Sequence, residues 1–292
     1  MTKLEDIEVR AADGMTLRGR RWRRPDPRGV VVIAHGYGEH GGTYETVAQM
    51  LSATVDLDVL AVDFRGHGRS PGRRGVVRQY EELVRDLHDT VKWAARELPG
   101  VHRFLLGHSN GGQVALRLAL TEPESIHGLV VSNPAFRIAL PVPPAKIRLG
   151  RFLARHAPWI TLNAQLRTEL MTRDPEVQRE QRADRLRHNR ISPPLFFGMV
   201  EGGEMLIARA GEIHTPTLML IGGQDPVLDP AAAREFFDRL GAEDKSLLIY
   251  PKMLHDTLHD VGKEQVIDDL VRWLESRLVT IPSGPAASRV GI

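Results

Sequence analysis

Phe104-Leu105-Leu106-Gly107-His108-Ser109-Asn110-Gly111-Gly112 is the stretch that decides the fold. A short apolar run, as expected of a buried strand, passes directly into Gly-x-Ser-x-Gly, and a helical pattern follows from Gly112 to Leu120. In a strand–turn–helix of this kind the serine occupies a sharp, strained turn. Side chains two residues to either side would collide, which explains Gly107 and Gly111. The turn exposes the Ser109 hydroxyl at the top of a sheet. It also aims the Asn110 N–H and the start of the helix at developing negative charge. The pentapeptide alone is a weak signal, and its position between strand and helix makes Ser109 the candidate nucleophile.

The same alternation extends in both directions. Upstream, Ile7-Glu8-Val9-Arg10, the turn signal Asp13-Gly14 and Leu17 to Trp22 predict a hairpin. Val30 to Ala34 and Val59 to Val62 predict buried strands, with helices near Tyr44–Ala53 and Tyr80–Glu97. Downstream, Leu129-Val130-Val131, Leu218 to Ile221 and Leu247 to Tyr250 predict strands, and helices are expected at Ala231–Leu240 and Lys263–Leu278. Repeated strand–helix units imply an α/β fold with a mainly parallel sheet covered on both faces. Residues 136–210 break the rhythm with Pro141, Pro143, Pro144 and arginine-rich helical segments. At roughly 70 residues this interval is too long for an ordinary loop. It is expected to be a helical cap over the ligand crevice at the carboxyl ends of the strands. Residues 1–135 and 211–280 then form the core, and 281–292 a loose tail.

Composition bounds the rest. The chain has 292 residues, 42% hydrophobic and 26% charged, with 39 basic and 37 acidic side chains. It has no cysteine, which excludes disulfides, thiolate metal sites and a cysteine nucleophile. The N-terminus lacks an apolar leader, and no apolar run approaches the roughly 20 residues that span a bilayer, so a cytoplasmic protein is expected. Arginines cluster at 18–28, at 65–78 and between Arg151 and Arg190. No aromatic-interleaved basic motif accompanies them, so they do not suggest nucleic-acid binding. A solvated, ion-paired surface accounts for them, with attraction to anionic lipid surfaces the functional alternative. Nothing in the sequence specifies an oligomeric state.

A serine hydroxyl needs a base, and a histidine base needs a carboxylate to orient it. In this type of fold the chain order is Ser, acid, His, with both later residues in loops that follow strands. Asp225, in Gly222-Gly223-Gln224-Asp225-Pro226-Val227, fits the acid; Asp229, beside Pro230, reads as a helix N-cap. His255 fits the base; its rival His259 is expected on the following helix, facing solvent or a partner. Without His-Glu-x-x-His, no metal site is expected from this pair, and no cofactor is implied. His35-Gly36-Tyr37-Gly38 follows the first buried strand. It brings the Tyr37 N–H opposite that of Asn110, and these two are the candidate oxyanion hole. Asp63, Arg65 and His67 read as structural, and His108 as lining or packing.

These pieces together resemble the monoacylglycerol lipase / lysophospholipase family of serine α/β-hydrolases. The matching segments are His35 to His40 with Tyr44, Asp63 to Ser70, Gly107-His108-Ser109, Gln224 to Val227 and Tyr250 through His255, with Thr172-Arg173-Asp174-Pro175 inside the insertion. The resemblance runs from about residue 5 to residue 278. It implies a cofactor-free, cytosolic or peripherally membrane-associated esterase acting on small-molecule acyl esters, monoacylglycerols or other single-chain substrates, through Ser109, Asp225 and His255. Three departures stand out. Asn110 follows the nucleophile where methionine is usual, and its side chain is expected to make the pocket floor more polar. Tyr37 stands where a small residue is common and is expected to narrow the pocket. The insertion is rich in arginine, as at Arg185 and Arg187. A short-chain esterase, thioesterase, amidase, peptidase or acyltransferase on the same triad, or a non-catalytic binding protein, are the alternatives. Phe152, Leu153, Trp159, Ile160, Leu195, Phe196 and Phe197 are expected to form the inner apolar face of the cap or to anchor it to the core.

Overall fold

The computed structural model describes residues 2–278. Strands β1 (Lys3–Arg10) and β2 (Thr16–Arg23) form the expected hairpin. They are followed by β3 (Gly29–Ala34), α1 (Glu45–Thr54), β4 (Leu57–Val62), α2 (Glu81–Glu97), β5 (His102–His108), α3 (Asn110–Thr121) and β6 (Gly128–Ser132). The insertion carries α4 (Pro144–His156), β7 (Leu162–Asn163), α5 (Pro175–Ala183), β8 (Arg190–Ile191) and α6 (Pro193–Ala208). The chain then resumes with β9 (Thr217–Gly222), α7 (Pro230–Arg239), β10 (Lys245–Tyr250) and α8 (Lys263–Arg277). The tail expected at 281–292 lies outside the described residues.

One eight-stranded sheet runs in the order β1-β2-β4-β3-β5-β6-β9-β10. β2 pairs antiparallel with β1 and with β4, and every pairing from β4 to β10 is parallel. The parallel strands β3, β4, β6 and β9 are buried along their whole length, because helices cover both faces. Two separate apolar clusters result, one on each side of the sheet. Leu83, Leu87, Val114, Leu118 and Phe236 belong to the first, and Val47, Leu51, Ile267, Leu270 and Leu274 to the second.

The insertion departs from the sequence expectation in one respect. It contains a two-residue antiparallel pairing, Leu162↔Ile191 and Asn163↔Arg190, where no strand is predicted. Ladders this short leave no periodic signature. Local chemistry does fix α5 and α7. Asp174 and Asp229 each accept backbone N–H groups of the first turn, and Pro175 and Pro230 open the two helices. The arginine clusters are extensively ion-paired: Arg21 with Asp58, Arg65 with Asp86, Arg69 with Asp6, Arg173 with Asp260.

Candidate active site

β5 delivers Ser109 directly onto the N-terminus of α3. Its backbone has φ 53° and ψ −120°, a left-handed conformation that a non-glycine residue holds only under constraint. The constraint is visible. The Ser109 N–H donates to the Ser132 carbonyl at 2.9 Å, and its own carbonyl accepts from Gln113 and Ala135 at 3.1 and 3.0 Å. The glycines answer a steric demand: a Cβ on Gly107 would lie 2.6 Å from Gly112 Cα, and one on Gly111 would lie 2.0 Å from the Ala34 carbonyl oxygen.

Asp225 follows β9 and His255 follows β10, as their chain positions predict. Their side chains meet across 30 residues of sequence: His255 Nδ1–H donates to Asp225 Oδ2 at 2.7 Å. Both are buried. Asp225 is fully engaged. Oδ2 also accepts from Asn133 Nδ2 at 2.6 Å, and Oδ1 accepts the N–H groups of Val227 and Leu228 at 2.8 and 3.1 Å. Burial opposes its charge, but these donors and the His255 ring hold its carboxyl below the ordinary range. For His255 burial likewise disfavours the charged ring. The Asp225 carboxylate and its hydrogen bond, with Asp256 and Glu39 beyond, outweigh that and raise it above the ordinary imidazole value. His255 Nε2 is buried without a protein partner among the described residues. Ser109 itself is half-buried and lines a cavity of about 340 Å³.

Tyr37 and Asn110 stand on the loop after β3 and at the first residue of α3. Neither backbone N–H has an acceptor among the described residues. The Tyr37 ring lines the cavity, packing edge-on against His67 and His188 at 6.4 and 5.8 Å between centroids. The expectation for the Asn110 side chain needs correction. Its Oδ1 accepts the Tyr80 hydroxyl at 2.8 Å, and the residue is buried away from the cavity lining, so it does not make the pocket polar.

His259 also departs from expectation. It lies in the loop before α8, buried, with Nδ1 2.8 Å from Asp256 Oδ1 and Nε2 3.0 Å from the Thr43 carbonyl. Both partners are acceptors, an arrangement that favours the doubly protonated ring. Burial opposes that charge, but Asp256 raises its pKa. A second His–Asp pair thus joins the loop bearing His255 to the segment that follows the loop after β3. Asp63 and Arg65 brace the site as expected: Asp63 accepts from the Gly41 and Arg69 N–H groups at 2.6 and 2.7 Å, and Arg65 forks onto Asp86.

The cavity is lined mostly by apolar groups, among them Ile138, Ile147, Met199, Val227 and Leu228. The expected inner face of the insertion divides. Phe196 and Phe197 line the cavity and Leu195 and Leu153 are buried, whereas Phe152, Trp159 and Ile160 are exposed at 59%, 52% and 41%. Sequence reasoning missed Asn133 and Asp256. The only available signal for Asn133 was its place just past β6, at the carboxyl edge of the sheet where ligand crevices form.

A mainly parallel sheet, a strained serine between strand and helix, and a buried His–Asp pair at the same edge define the α/β-hydrolase class. Similarity to known proteins narrows this. The family model described as Serine aminopeptidase, S33, matches residues 25–262. The chain is 35% identical over 254 residues to a monoacylglycerol lipase of Mycolicibacterium smegmatis, covering 87% of this chain and 90% of that one. It is 30% identical to the human monoglyceride lipase, covering 92% and 90%. The crystal structure of the Paleococcus ferrophilus monoacylglycerol lipase superposes with a TM-score of 0.83 at 32% identity, covering 90% of this chain and 100% of that one. The chain belongs to the monoacylglycerol-lipase-like family of serine α/β-hydrolases and is a carboxylic ester hydrolase. Among the described residues no helix is long and apolar enough to cross a membrane.

Proposed function

We propose that the enzyme hydrolyses monoacylglycerols or similar single-chain acyl esters through an acyl-enzyme on Ser109. His255, oriented by Asp225, takes the Ser109 proton as the hydroxyl oxygen attacks the ester carbonyl. The Tyr37 and Asn110 N–H groups receive the oxyanion. Protonated His255 gives its proton to the departing alcohol, and a water deprotonated by the same ring then releases the fatty acid. The observation that carries this reading is a strained serine opening onto a largely apolar pocket. That cavity suits one acyl chain. It does not suit the free amino group that an aminopeptidase holds. The lining carboxylate, Glu39, is already neutralised by Arg187 at 3.0 Å.

In this reading residues 136–210 act as a cap, contributing Ile138, Ile147, Phe196 and Phe197 to the acyl site. Its outer face supports peripheral contact with lipid. Leu149, Phe152, Trp159 and Ile160 are exposed beside exposed Arg148, Arg151 and Arg155, an apolar and basic combination suited to an anionic interface. The enzyme then works in the cytoplasm and meets lipid only at its surface.

The test is hydrolysis of p-nitrophenyl esters from acetate to palmitate by wild type and Ser109→Ala, with fluorophosphonate labelling in parallel. A serine-dependent rate that peaks at medium or long chains is expected. Undiminished turnover in Ser109→Ala would overturn the mechanism, and activity confined to acetate and butyrate would overturn the substrate class.

A further inference from the structure

The segment from Asp184 to Ser192, just before the insertion's last helix α6, lies on the oxyanion loop and on the loop after β4. Asp184 Oδ2 is 2.6 Å from His40 Nε2, the His188 N–H donates to the Gly38 carbonyl at 3.0 Å, and the Ser192 N–H donates to the Gly75 carbonyl at 2.8 Å. The fit leaves no slack: a Cβ on Gly38, whose φ is +73°, would lie 2.2 Å from the His188 carbonyl oxygen. Among these contacts one is a partly buried ion pair. Arg187 Nη2 donates to Glu39 Oε1 at 3.0 Å, with the two side chains 14% and 1% exposed.

Glu39 spends its other oxygen on the loop. Oε2 accepts the Gly36 N–H at 3.0 Å and the Tyr44 hydroxyl at 2.9 Å. The next peptide, joining Gly36 to Tyr37, carries the Tyr37 N–H. Its carbonyl is held by His35 Nδ1–H at 2.8 Å and by the Glu39 N–H at 3.3 Å. His35 can donate there because its Nε2 accepts the Phe64 N–H at 2.9 Å, which fixes the tautomer. Both peptides flanking Gly36 are therefore pinned, one by the Glu39 carboxylate and one by its backbone. The direction of the free Tyr37 N–H is therefore tied to the Glu39 side chain staying in place.

We infer that Arg187 is a positioning residue for the oxyanion hole, acting from the insertion through the Glu39 carboxylate on the Gly36–Tyr37 peptide. The inference rests on the reading of Tyr37 as an oxyanion donor. Glu39 is wholly buried, and burial by itself disfavours its charge. Arg187 is the strongest of the groups that reverse this, ahead of His108, His259 and His35. Asp256 nearby adds a like charge. Without the guanidinium the buried carboxylate loses its strongest counter-charge and the partner that anchors Oε1, so it is drawn to turn away, which loosens its hold on the Gly36 N–H. The insertion then does more than enclose substrate, because it completes the site for every ester, whatever its chain length.

The experiment compares Arg187→Met, Arg187→Lys and the double variant Glu39→Gln/Arg187→Met on p-nitrophenyl acetate and p-nitrophenyl decanoate, with melting curves for each. Arg187→Met is expected to lose about tenfold or more in kcat on both esters with KM little changed, as a displaced oxyanion donor would cause. Arg187→Lys is expected to recover most of that loss, since it restores a cation. So is the double variant, since a neutral amide oxygen still accepts from Gly36 and Tyr44 without needing a counter-charge. A loss confined to KM for decanoate would make Arg187 a cap anchor only and overturn the inference, as would a double variant no better than the single one. If Arg187→Met alone does not melt cooperatively, the double variant and the lysine decide. Wild-type turnover by Ser109→Ala would remove the parent mechanism while leaving these kcat ratios measurable.

Discussion

Gly111→Ala is a severe single-methyl test of this site. The added Cβ would sit 2.0 Å from the Ala34 carbonyl oxygen and 2.5 Å from that of His35. Ordinary contact begins near 3.4 Å, so β3 and α3 must separate locally by more than 1 Å. Neither side has freedom to yield. The Ala34–Gly107 register lies within the parallel ladder, and His35 opens the tightly hydrogen-bonded loop after β3. Forced overpacking of this kind costs about 3 kcal/mol or more. A misplacement near 1 Å at the reacting centre lowers the rate by about a hundredfold. Urea unfolding followed by fluorescence, and kcat on p-nitrophenyl butyrate, measure the two effects. Gly100→Ala is the control. Its φ is +79°, but no atom lies within 4 Å of the added carbon. The expected loss there is only the left-handed strain, about 1 kcal/mol, with kcat intact. Equal stability losses in the two variants, or a Gly111→Ala enzyme with wild-type kcat, would refute the steric account of the turn.

Three further outcomes are expected. Because His255 is raised and must be neutral to act, kcat/KM should climb with pH through a value above the usual imidazole range near 6.5. Asp225→Asn should move that inflection down and cut kcat, and a profile unchanged by this substitution would exclude the assigned pair. Asn133→Ala removes a donor to the Asp225 carboxylate and strands the Gly222 N–H, which Asn133 Oδ1 accepts at 2.9 Å. A loss of about 2–4 kcal/mol in stability should follow, with reduced kcat, and a denaturation midpoint equal to wild type would contradict it. Phe152→Ser/Trp159→Ser should weaken sedimentation with anionic vesicles while leaving p-nitrophenyl acetate hydrolysis unaltered, and undiminished vesicle binding would remove lipid contact from that face.

How far the sequence alone reaches depends on how local each determinant is. The turn at Ser109 is legible because strand, glycines, serine and helix are contiguous, and sterics within nine residues demand that order. The parallel sheet is legible because strands buried on both faces must be continuously apolar, as in Val30 to Ala34. Asp225 and His255 are legible by chain order and by their loops after β9 and β10. Asp229 is legible as a cap because the proline beside it marks a helix start.

The remainder required the fold to bring distant residues together. Asn133 reaches Asp225 across 92 residues, and Arg187 reaches Glu39 across 148. A lone asparagine or arginine carries no mark of such a partner. His259 is buried and paired because Asp256 and the Thr43 carbonyl converge on it, and Thr43 is 216 residues away. Asn110 faces Tyr80 rather than substrate for the same reason. Along α4, one apolar pattern yields a buried Leu153 beside an exposed Phe152. Sequence by itself determined the strained turn at Ser109, the sheet and the placing of Asp225 and His255 in loops after strands, because backbone sterics and apolar periodicity act over a few residues. Tertiary structure alone decided which charges are paired, which side chains face the cavity and what holds the oxyanion loop, because those depend on contacts between segments that only the folded chain brings together.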